Sequence, residues 1–318
     1  MNIAVLRGPR EFVLAKEPVP EIEADEVLLR VAACGVCTSE LDMWEGKAGQ
    51  EIYPRYPGHE VSGVVEKVGE QVTALKPGDP VGVWVTQRGF AEFVAVKAEF
   101  CYPSGEIPLD QVLAEPLACA VNTVEMANLS LGDDVVIIGA GFMGNLVQML
   151  AALQGPRHLI VADVRQDALD RAMRLGATHA INTVREDLPE MVKALTGGKG
   201  ADASFEVTGA QAPLQMLGEV TRMSGKVVIV GYHQGGLRQI PLAYWNWMAF
   251  QILNAHFRDV ALIRRGMQIG MRLLTSGRLS LEGLVSHRYT LSDINQAFLT
   301  AHEKPEGFVK STVLLDGA

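Results

Sequence analysis

The chain has 318 residues, of which 48% are hydrophobic and 20% are charged. This composition is typical of a folded globular protein and excludes a disordered chain, and the length suits two domains better than one core. The formal net charge of −9 argues against a nucleic-acid partner or an acidic membrane surface, because binding to phosphates requires clustered lysine and arginine.

The cysteine content and the amino terminus indicate a reducing compartment. Four cysteines are too few for a disulfide framework in a chain of this length. The first residues lack the apolar core of a signal peptide, and no apolar run approaches the length that spans a bilayer. We therefore expect a cytoplasmic protein whose free thiols are available as metal ligands.

The region up to about residue 120 is typical of short strands separated by turns. Runs rich in β-branched residues alternate with segments that carry proline and glycine, which predicts an antiparallel, partly open barrel. The predicted strands are 26–33, 60–68, 81–85 and 93–96.

From about residue 130 the pattern changes to strands that alternate with helices. Short, fully apolar strands of this kind predict a parallel sheet covered by helices on both faces. The predicted strands are 135–138, 158–162, 179–181, 203–207, 226–230 and 250–255, with helices at 146–153 and 166–175.

The carboxyl-terminal segment does not continue this alternation. It contains predicted helices at 260–275 and 292–302 and a final strand at 307–315. We expect this segment to return to the first domain. The predicted domains are therefore 1–120 together with 257–318, and 121–256.

A glycine-rich motif, Gly139 to Gly144, directly follows a predicted strand and begins a predicted helix. In a dinucleotide-binding turn the first glycine makes the bend, the second lets the backbone approach a pyrophosphate, and the third allows close packing of helix on strand. Asp163, 19 positions after Gly144, ends the next strand, where a carboxylate can accept hydrogen bonds from a ribose. The predicted dinucleotide contacts are Gly139, Gly141, Phe142, Met143, Gly144, Asp163 and Arg165.

Two alternatives remain open at this motif. It could be a glycine-rich turn with an exposed aspartate nearby. Asp163 favours NAD because its charge repels a 2′-phosphate, whereas Arg165 could bind that phosphate, so NADP is less expected but stays open.

A second group of residues offers metal-binding chemistry. Cys37, the adjacent pair His59 and Glu60, and Glu115 supply the thiolate, imidazole and carboxylates that a catalytic zinc ion uses when one position stays open. The alternatives are a surface His–Glu pair, a buried apolar Cys37, or a redox pair formed by Cys34 and Cys37. The last two leave His59, Glu60 and the glycine motif unexplained.

Four segments in this order, residues 37–42, 57–60, 115–117 and 139–144, resemble the zinc-dependent medium-chain dehydrogenases, and most closely their polyol and sorbitol dehydrogenase branch. The resemblance covers essentially the whole chain. It implies an α/β protein with a GroES-like, partly open β-barrel catalytic domain and a Rossmann doubly wound parallel-sheet domain.

The resemblance also implies a ligand set. Cys37 and His59 match the first two zinc ligands, and Glu60 matches a carboxylate that is a direct ligand in the polyol branch and an exchanging one elsewhere. Glu115 matches a late position that binds zinc directly or through water.

The chain departs from this family in two places. Larger members carry a lobe of four cysteines around a structural zinc ion, whereas here residues 84–90 join two strands directly. One catalytic zinc ion per subunit is therefore expected. Asp42 stands where alcohol dehydrogenases often have a proton-relay histidine, and it could bind the ribose, face water or be structural.

The activity implied by the resemblance is zinc-dependent, NAD(H)-linked interconversion of a secondary alcohol or polyol and its ketone or aldehyde by hydride transfer. Zinc would polarise the oxygen of this small-molecule substrate. Ser39 is placed to pass the alcohol proton outward, and Cys119 and Gly231 are expected beside the nicotinamide. Two other features predict a homodimer or homotetramer: the aromatic segment 244–250, which could equally be core, and the strand at 250–255.

Two other functions remain open. A zinc-free NADPH-dependent quinone or enoyl reductase of the same fold would lack the cysteine and Gly-His-Glu ligands that are present here. A non-catalytic nucleotide-binding protein could keep the fold without the chemistry, because a fold does not determine a function.

Overall fold

The computed structural model describes residues 1–47, 52–233 and 235–315. The chain divides into two compact units, one formed by Met1–Ala118 with Arg264–Ala318 and the other by Cys119–Ile263. No helix in the described ranges has the length and apolar character needed to cross a bilayer.

The amino-terminal part of the first unit is built from strands, with a short helix after the third strand and a longer one at its end. The elements are β1 (Asn2–Gly8), β2 (Glu11–Lys16), β3 (Glu26–Gly35), α1 (Thr38–Glu45), β4 (Glu60–Val68), β5 (Pro80–Trp84), β6 (Phe93–Lys97), β7 (Cys101–Pro103) and α2 (Ala114–Ala127).

The second unit follows the predicted alternation of strands and helices. Its elements are β8 (Asp134–Ile138), α3 (Phe142–Ala152), β9 (His158–Asp163), α4 (Gln166–Arg174), β10 (His179–Asn182), α5 (Leu188–Leu195), β11 (Ala201–Glu206), α6 (Gln211–Val220), β12 (Thr221–Ile229), α7 (Leu242–Trp247) and β13 (Gln251–Asn254). The remaining elements are α8 (Val260–Thr275), β14 (His287–Thr290), α9 (Ile294–Glu303) and β15 (Ser311–Leu314).

Strand β3 organises the sheet of the first unit. The sheet runs in the order β14-β15-β3-β4-β5-β7. The amino-terminal half of β3 also pairs with β6, whereas its carboxyl-terminal end pairs with β15. This branching curls the sheet and confirms the partly open barrel, and β15 brings the carboxyl-terminal segment back to the first unit.

The sheet of the second unit is parallel throughout, in the order β10-β9-β8-β11-β12-β13. Strand β8 is buried along its whole length, as expected for a strand with helices on both faces. The carboxyl ends of β8, β9 and β11 therefore meet at one edge, where open α/β sheets bind ligands. Strand β13 ends the sheet and is therefore an edge strand.

The prediction that the first 120 residues contain only strands is wrong at α1 and α2. Helix α1 spans eight residues and lacks a wide apolar stripe, so its composition alone does not indicate a helix. Local hydrogen bonds begin it, because the backbone N–H of Cys37 donates to the Glu40 carboxylate at 3.3 Å. Gly46 ends it in the left-handed conformation, at φ 76°.

Candidate metal and dinucleotide sites

The structure brings together Cys37, His59 and Glu60. One ligand atom from each residue lies within 4.8 Å of the other two. Cys37 precedes the first turn of α1, and His59 and Glu60 lie at the start of β4, so two elements that are adjacent in space supply three different donors. Cys37 and His59 are partly exposed, whereas Glu60 is buried.

Glu40, which the sequence analysis did not select, holds this cluster in place. Its Oε1 lies 2.9 Å from His59 Nδ1 and accepts the Gly58 N–H at 2.7 Å, while Oε2 accepts the Cys37 N–H. Burial by itself raises the pKa of Glu40, but the charge of His59 and these hydrogen bonds outweigh it and bring the pKa below its ordinary value. An ionised Glu40 fixes the proton on Nδ1 of His59 and leaves Nε2 as the metal donor.

The negative groups around His59 determine which charge is stable at the cluster. Burial alone would lower the pKa of His59, but the charges of Glu40 and Cys37 raise it well above its ordinary value. The surroundings therefore favour a positive charge at this position.

Lys310, also absent from the sequence analysis, pairs with Glu60. Its Nζ donates to Oε1 at 2.7 Å and lies 2.6 Å from Oε2, which receives no hydrogen bond from the described residues. Both side chains are buried, and they are 250 positions apart in the chain. Burial by itself lowers the pKa of Lys310, but the charges of Glu60 and Cys37 outweigh burial and raise the pKa above its ordinary value. Lys310 therefore stays a charged ammonium. Gly35 is required beside them, because a Cβ there would lie 2.1 Å from Oε2.

These residues fit a zinc ion. Sulfur, imidazole nitrogen and carboxylate oxygen are the donors that zinc prefers, and three protein ligands are typical of catalytic zinc. The Oε2 atom of Glu60 receives no hydrogen bond from the described residues although the Lys310 ammonium lies 2.6 Å away, so this carboxylate keeps acceptor capacity for a metal ion.

The other residues predicted near the metal are placed as follows. The Ser39 hydroxyl donates to Cys37 Sγ at 3.2 Å. Glu115 is the second residue of α2 and is half-buried, and in the described part of the chain the three-residue cluster does not extend to it. Asp42 lies half-buried in α1. The metal-ligand role of Glu115 stays a prediction.

Cys34 belongs to the core. It lies in β3, is fully buried, and burial raises its pKa well above the ordinary value. A reactive thiol requires a lowered pKa, so these properties argue against a redox pair with Cys37.

The glycine motif adopts the geometry that a dinucleotide requires. Gly139 has φ +111°, in the region that favours glycine, and makes the turn after β8. A Cβ on Gly144 would lie 1.8 Å from the Gly139 oxygen, so only glycine lets α3 pack here. A Cβ on Gly141 would meet no described atom within 4 Å, which leaves this side open for a ligand. Phe142 and Met143 form the first turn of α3.

Asp163 links the end of β9 to this turn. Its Oδ2 accepts the Ala140 N–H at 2.7 Å, and Oδ1 accepts the Arg165 N–H at 2.9 Å. Each carboxylate oxygen can accept a second hydrogen bond, so the group retains capacity for ribose hydroxyls. The arrangement fits a dinucleotide.

Glu206, at the end of β11, is the second buried carboxylate that sequence reasoning missed. Its Oε1 accepts the N–H groups of Thr208 and Gly209 at 2.6 and 2.8 Å, and its Oε2 lies 2.9 Å from His233 Nε2. A Cβ on Gly231 would lie 2.5 Å from Oε2. Glu206 therefore holds the loops that follow β11 and β12 together, beside the Gly139 turn. The available signal was a charged residue at the carboxyl end of a predicted buried strand, because a buried carboxylate needs partners.

Cys119 is half-buried in α2, and its carbonyl accepts the Thr123 hydroxyl at 2.8 Å. Its expected position beside the nicotinamide stays a prediction, as does that of Gly231.

Comparison with known proteins identifies two domains along the chain. Residues 23–141 match the alcohol dehydrogenase GroES-like domain, and residues 143–267 match the zinc-binding dehydrogenase domain. An L-threonine 3-dehydrogenase from Anaeromyxobacter is 30% identical over 88% of this chain and 89% of its own length. The chain belongs to the zinc-dependent medium-chain dehydrogenases.

Two further likenesses support the same assignment. Human sorbitol dehydrogenase is 28% identical, covering 93% of this chain and 91% of its own. The structure of galactitol-1-phosphate dehydrogenase from Escherichia coli superposes with a TM-score of 0.88 at 23% identity, over 99% of this chain and all (100%) of that one, and shows the shared fold. The chain is thus an oxidoreductase with a GroES-like and a Rossmann-type domain, and its family uses zinc and NAD(P).

Proposed function

We propose that this protein is a zinc-dependent, NAD(H)-linked oxidoreductase that interconverts a secondary alcohol or polyol and its ketone or aldehyde by hydride transfer. The observation that carries the proposal is the convergence of Cys37, His59 and Glu60 in a chain that also has an intact glycine motif. The relatives named for sorbitol and L-threonine act on small molecules that carry hydroxyl groups, which supports the substrate class.

In this proposal Cys37, His59 and Glu60 hold the zinc ion, and Glu115 contributes directly or through water. A bound zinc ion supplies a Lewis acid that polarises the substrate oxygen. Glu40 orients His59 by holding the proton on Nδ1, which leaves Nε2 as the atom that would bind zinc, and Lys310 balances the charge of Glu60.

Ser39 is the residue that we assign to proton transfer. Its hydroxyl lies against Cys37 Sγ, and rotation about the Cα–Cβ bond can redirect it from the thiolate to a substrate hydroxyl. It would accept the alcohol proton and pass it outward.

The nicotinamide supplies the hydride acceptor, and the chain binds and orients it. The turn from Gly139 to Gly144 receives the pyrophosphate at the start of α3, and Asp163 receives the ribose. The negative charge of Asp163 favours NAD over NADP. Cys119 and Gly231 would border the ring.

The proposal retains the predicted domain limits, 1–120 with 257–318 and 121–256, and a cytoplasmic homodimer or homotetramer. The aromatic segment before β13 lies partly in the core and partly at the surface, because Trp245 is buried whereas Trp247 is 76% exposed. Trp247 and the edge strand β13 together offer a surface for a second copy. Light scattering on the purified protein measures the oligomeric state.

The test of function is a panel of polyols, sugars, secondary alcohols and ketones, assayed with NAD(H) and with NADP(H) before and after zinc chelation. We expect turnover with NAD(H) that chelation abolishes and added zinc restores. Binding of NADH without turnover on any substrate would indicate a non-catalytic protein. Chelator-resistant reduction of quinones or enoyl compounds with NADPH would indicate the zinc-free reductase.

A further inference from the structure

Arg165 and Asp167 form an ion pair beside the proposed ribose site. The guanidinium donates to both carboxylate oxygens of Asp167, with Nε 3.1 Å from Oδ1 and a terminal nitrogen on Oδ2. Asp167 lies in the first turn of α4, and Arg165 is the residue that precedes this helix. A bidentate pair of this kind fixes the orientation of an arginine more firmly than a single contact does.

The backbone places Arg165 next to the carboxylate that matters for cofactor choice. Its backbone N–H donates to Asp163 Oδ1 at 2.9 Å. The side chain of Arg165 therefore starts beside the carboxylate that we assign to the ribose. Arginine is the side chain best suited to bind a phosphate, because its planar fork matches two phosphate oxygens. In this structure the two guanidinium nitrogens that could bind a phosphate donate instead to Asp167.

Asp167 also has a second basic neighbour. Arg171 lies four residues further along α4, on the same face, and is only 8% exposed. Its terminal nitrogen donates to the Ala140 carbonyl at 3.0 Å, which anchors α4 to the glycine turn. Asp167 therefore pairs with Arg165 and shares a helix face with a second, anchored arginine.

We propose that Asp167 is a determinant of cofactor selectivity. Its ion pair with Arg165 prevents that guanidinium from binding the 2′-phosphate of NADP. This inference rests on the proposed NAD-linked function and extends it. The charges of Asp163 and Asp167 are balanced by those of Arg165 and the buried Arg171, so these four residues carry no net positive charge that would attract a phosphate. Removing the charge of Asp167 gives the four residues a net positive charge and frees Arg165.

The test compares the dissociation constants of NADH and NADPH, measured by quenching of tryptophan fluorescence, so that no turnover is required. In Asp167→Asn we expect the preference for NADH over NADPH to fall on the order of tenfold, mainly through tighter NADPH binding. In Arg165→Met/Asp167→Asn this gain should disappear. Asp170→Asn is the matched control, because Asp170 lies on the same helix and accepts from Gln166.

Three outcomes would overturn the inference. Unchanged selectivity in Asp167→Asn contradicts the role of Asp167. A gain that persists in the double variant shows that charge removal alone is responsible and that Arg165 is not involved. Equal affinity of the wild-type protein for NADH and NADPH would contradict selectivity at this site. A wild-type protein that binds neither dinucleotide would instead contradict the proposed function.

Discussion

The metal site and the dinucleotide site are built by different means. The metal site depends on side-chain charge: buried Glu40 contacts His59, and buried Lys310 pairs with the buried Glu60 from 250 positions away in the chain. The dinucleotide site depends on backbone shape, because Gly139, Gly141 and Gly144 provide a turn, an open side and a close contact within six residues.

The two sites should therefore fail in different ways. A charge removed without a change of shape should damage the metal site, because buried charges need their partners. A single added methyl group, with no change of charge, should damage the dinucleotide site. Each variant of a site residue below is expected to affect one site and leave the other intact.

The largest effect is expected from Lys310→Met. The substitution leaves Glu60 buried without its cation, so the zinc-free protein should lose about 3–5 kcal/mol of unfolding free energy. Urea unfolding measures this loss, which should be smaller with zinc bound because the ion restores a positive partner. Lys310→Met/Glu60→Gln should recover most of it.

The control for this prediction is an exposed ion pair. Lys97 and Asp25 lie 3.1 Å apart with half-exposed side chains, and Lys97→Met should leave the unfolding midpoint nearly unchanged. An equally small effect of Lys310→Met would show that the Glu60 pair does not support the metal site.

The next largest effect is expected from Glu40→Gln. The amide keeps the shape but has no charge, so its oxygen accepts more weakly from His59 Nδ1 and Gly58, and its nitrogen cannot accept the Cys37 N–H; zinc affinity should therefore fall about 10- to 100-fold. Competition with a chromophoric chelator measures this affinity. Glu45→Gln on the same helix, where Glu45 pairs with Arg10 and Lys47, is the control and should bind zinc normally. Dinucleotide affinity should be unchanged in both variants.

A smaller effect is expected from Gly141→Ala. The added methyl group meets no described atom and the backbone φ of −72° suits alanine, so stability and zinc content should not change. The methyl group does occupy the side from which a pyrophosphate would approach, so NADH affinity should fall on the order of tenfold, or about 1.4 kcal/mol.

Gly144→Ala, compared with Gly141→Ala, distinguishes loss of helix packing from loss of contact with the dinucleotide. Its Cβ would collide with the Gly139 oxygen, so this variant should lose stability as well as affinity. Undiminished NADH binding by Gly141→Ala would mean that the pyrophosphate does not approach this turn.

The smallest effect is expected from His179→Gln, away from both sites. Burial and the neighbouring His158 lower the pKa of His179 below its ordinary value of 6.5, so the folded state binds fewer protons than the unfolded state. The wild-type protein should therefore lose stability as the pH falls from 6.5 through the folded-state pKa, and the variant should lose less. Urea midpoints at pH 7.5 and 5.5 test this, and identical pH dependence in the two proteins would contradict it.

The sequence predicts the fold well where local pattern is strong. The predicted bounds of β4 and α8 agree with the structure at both ends, because each is long and regularly patterned. It fails at α1, whose formation depends on the hydrogen bond between Cys37 and Glu40. It also places the last strand too early, since β15 begins only at Ser311.

The sites show the same division. Cys37, His59, Glu60 and the glycine motif are recognisable because each is a short local pattern. Lys310 is not, because no sequence pattern connects it to Glu60, and only the pairing of β15 with β3 brings them together. Glu40 could have been recognised from its spacing, because it follows Cys37 by one helical turn and a Glu at that position often caps a helix.

The central claim is that Cys37 and His59 hold a zinc ion that turnover requires. The most direct measurement is the zinc content per chain, by mass spectrometry, together with turnover, for the wild-type protein, Cys37→Ser and His59→Ala. We predict one zinc ion per wild-type chain, and loss of both zinc and turnover in the two variants with NADH binding retained. Full turnover in a variant that contains no zinc would contradict the account.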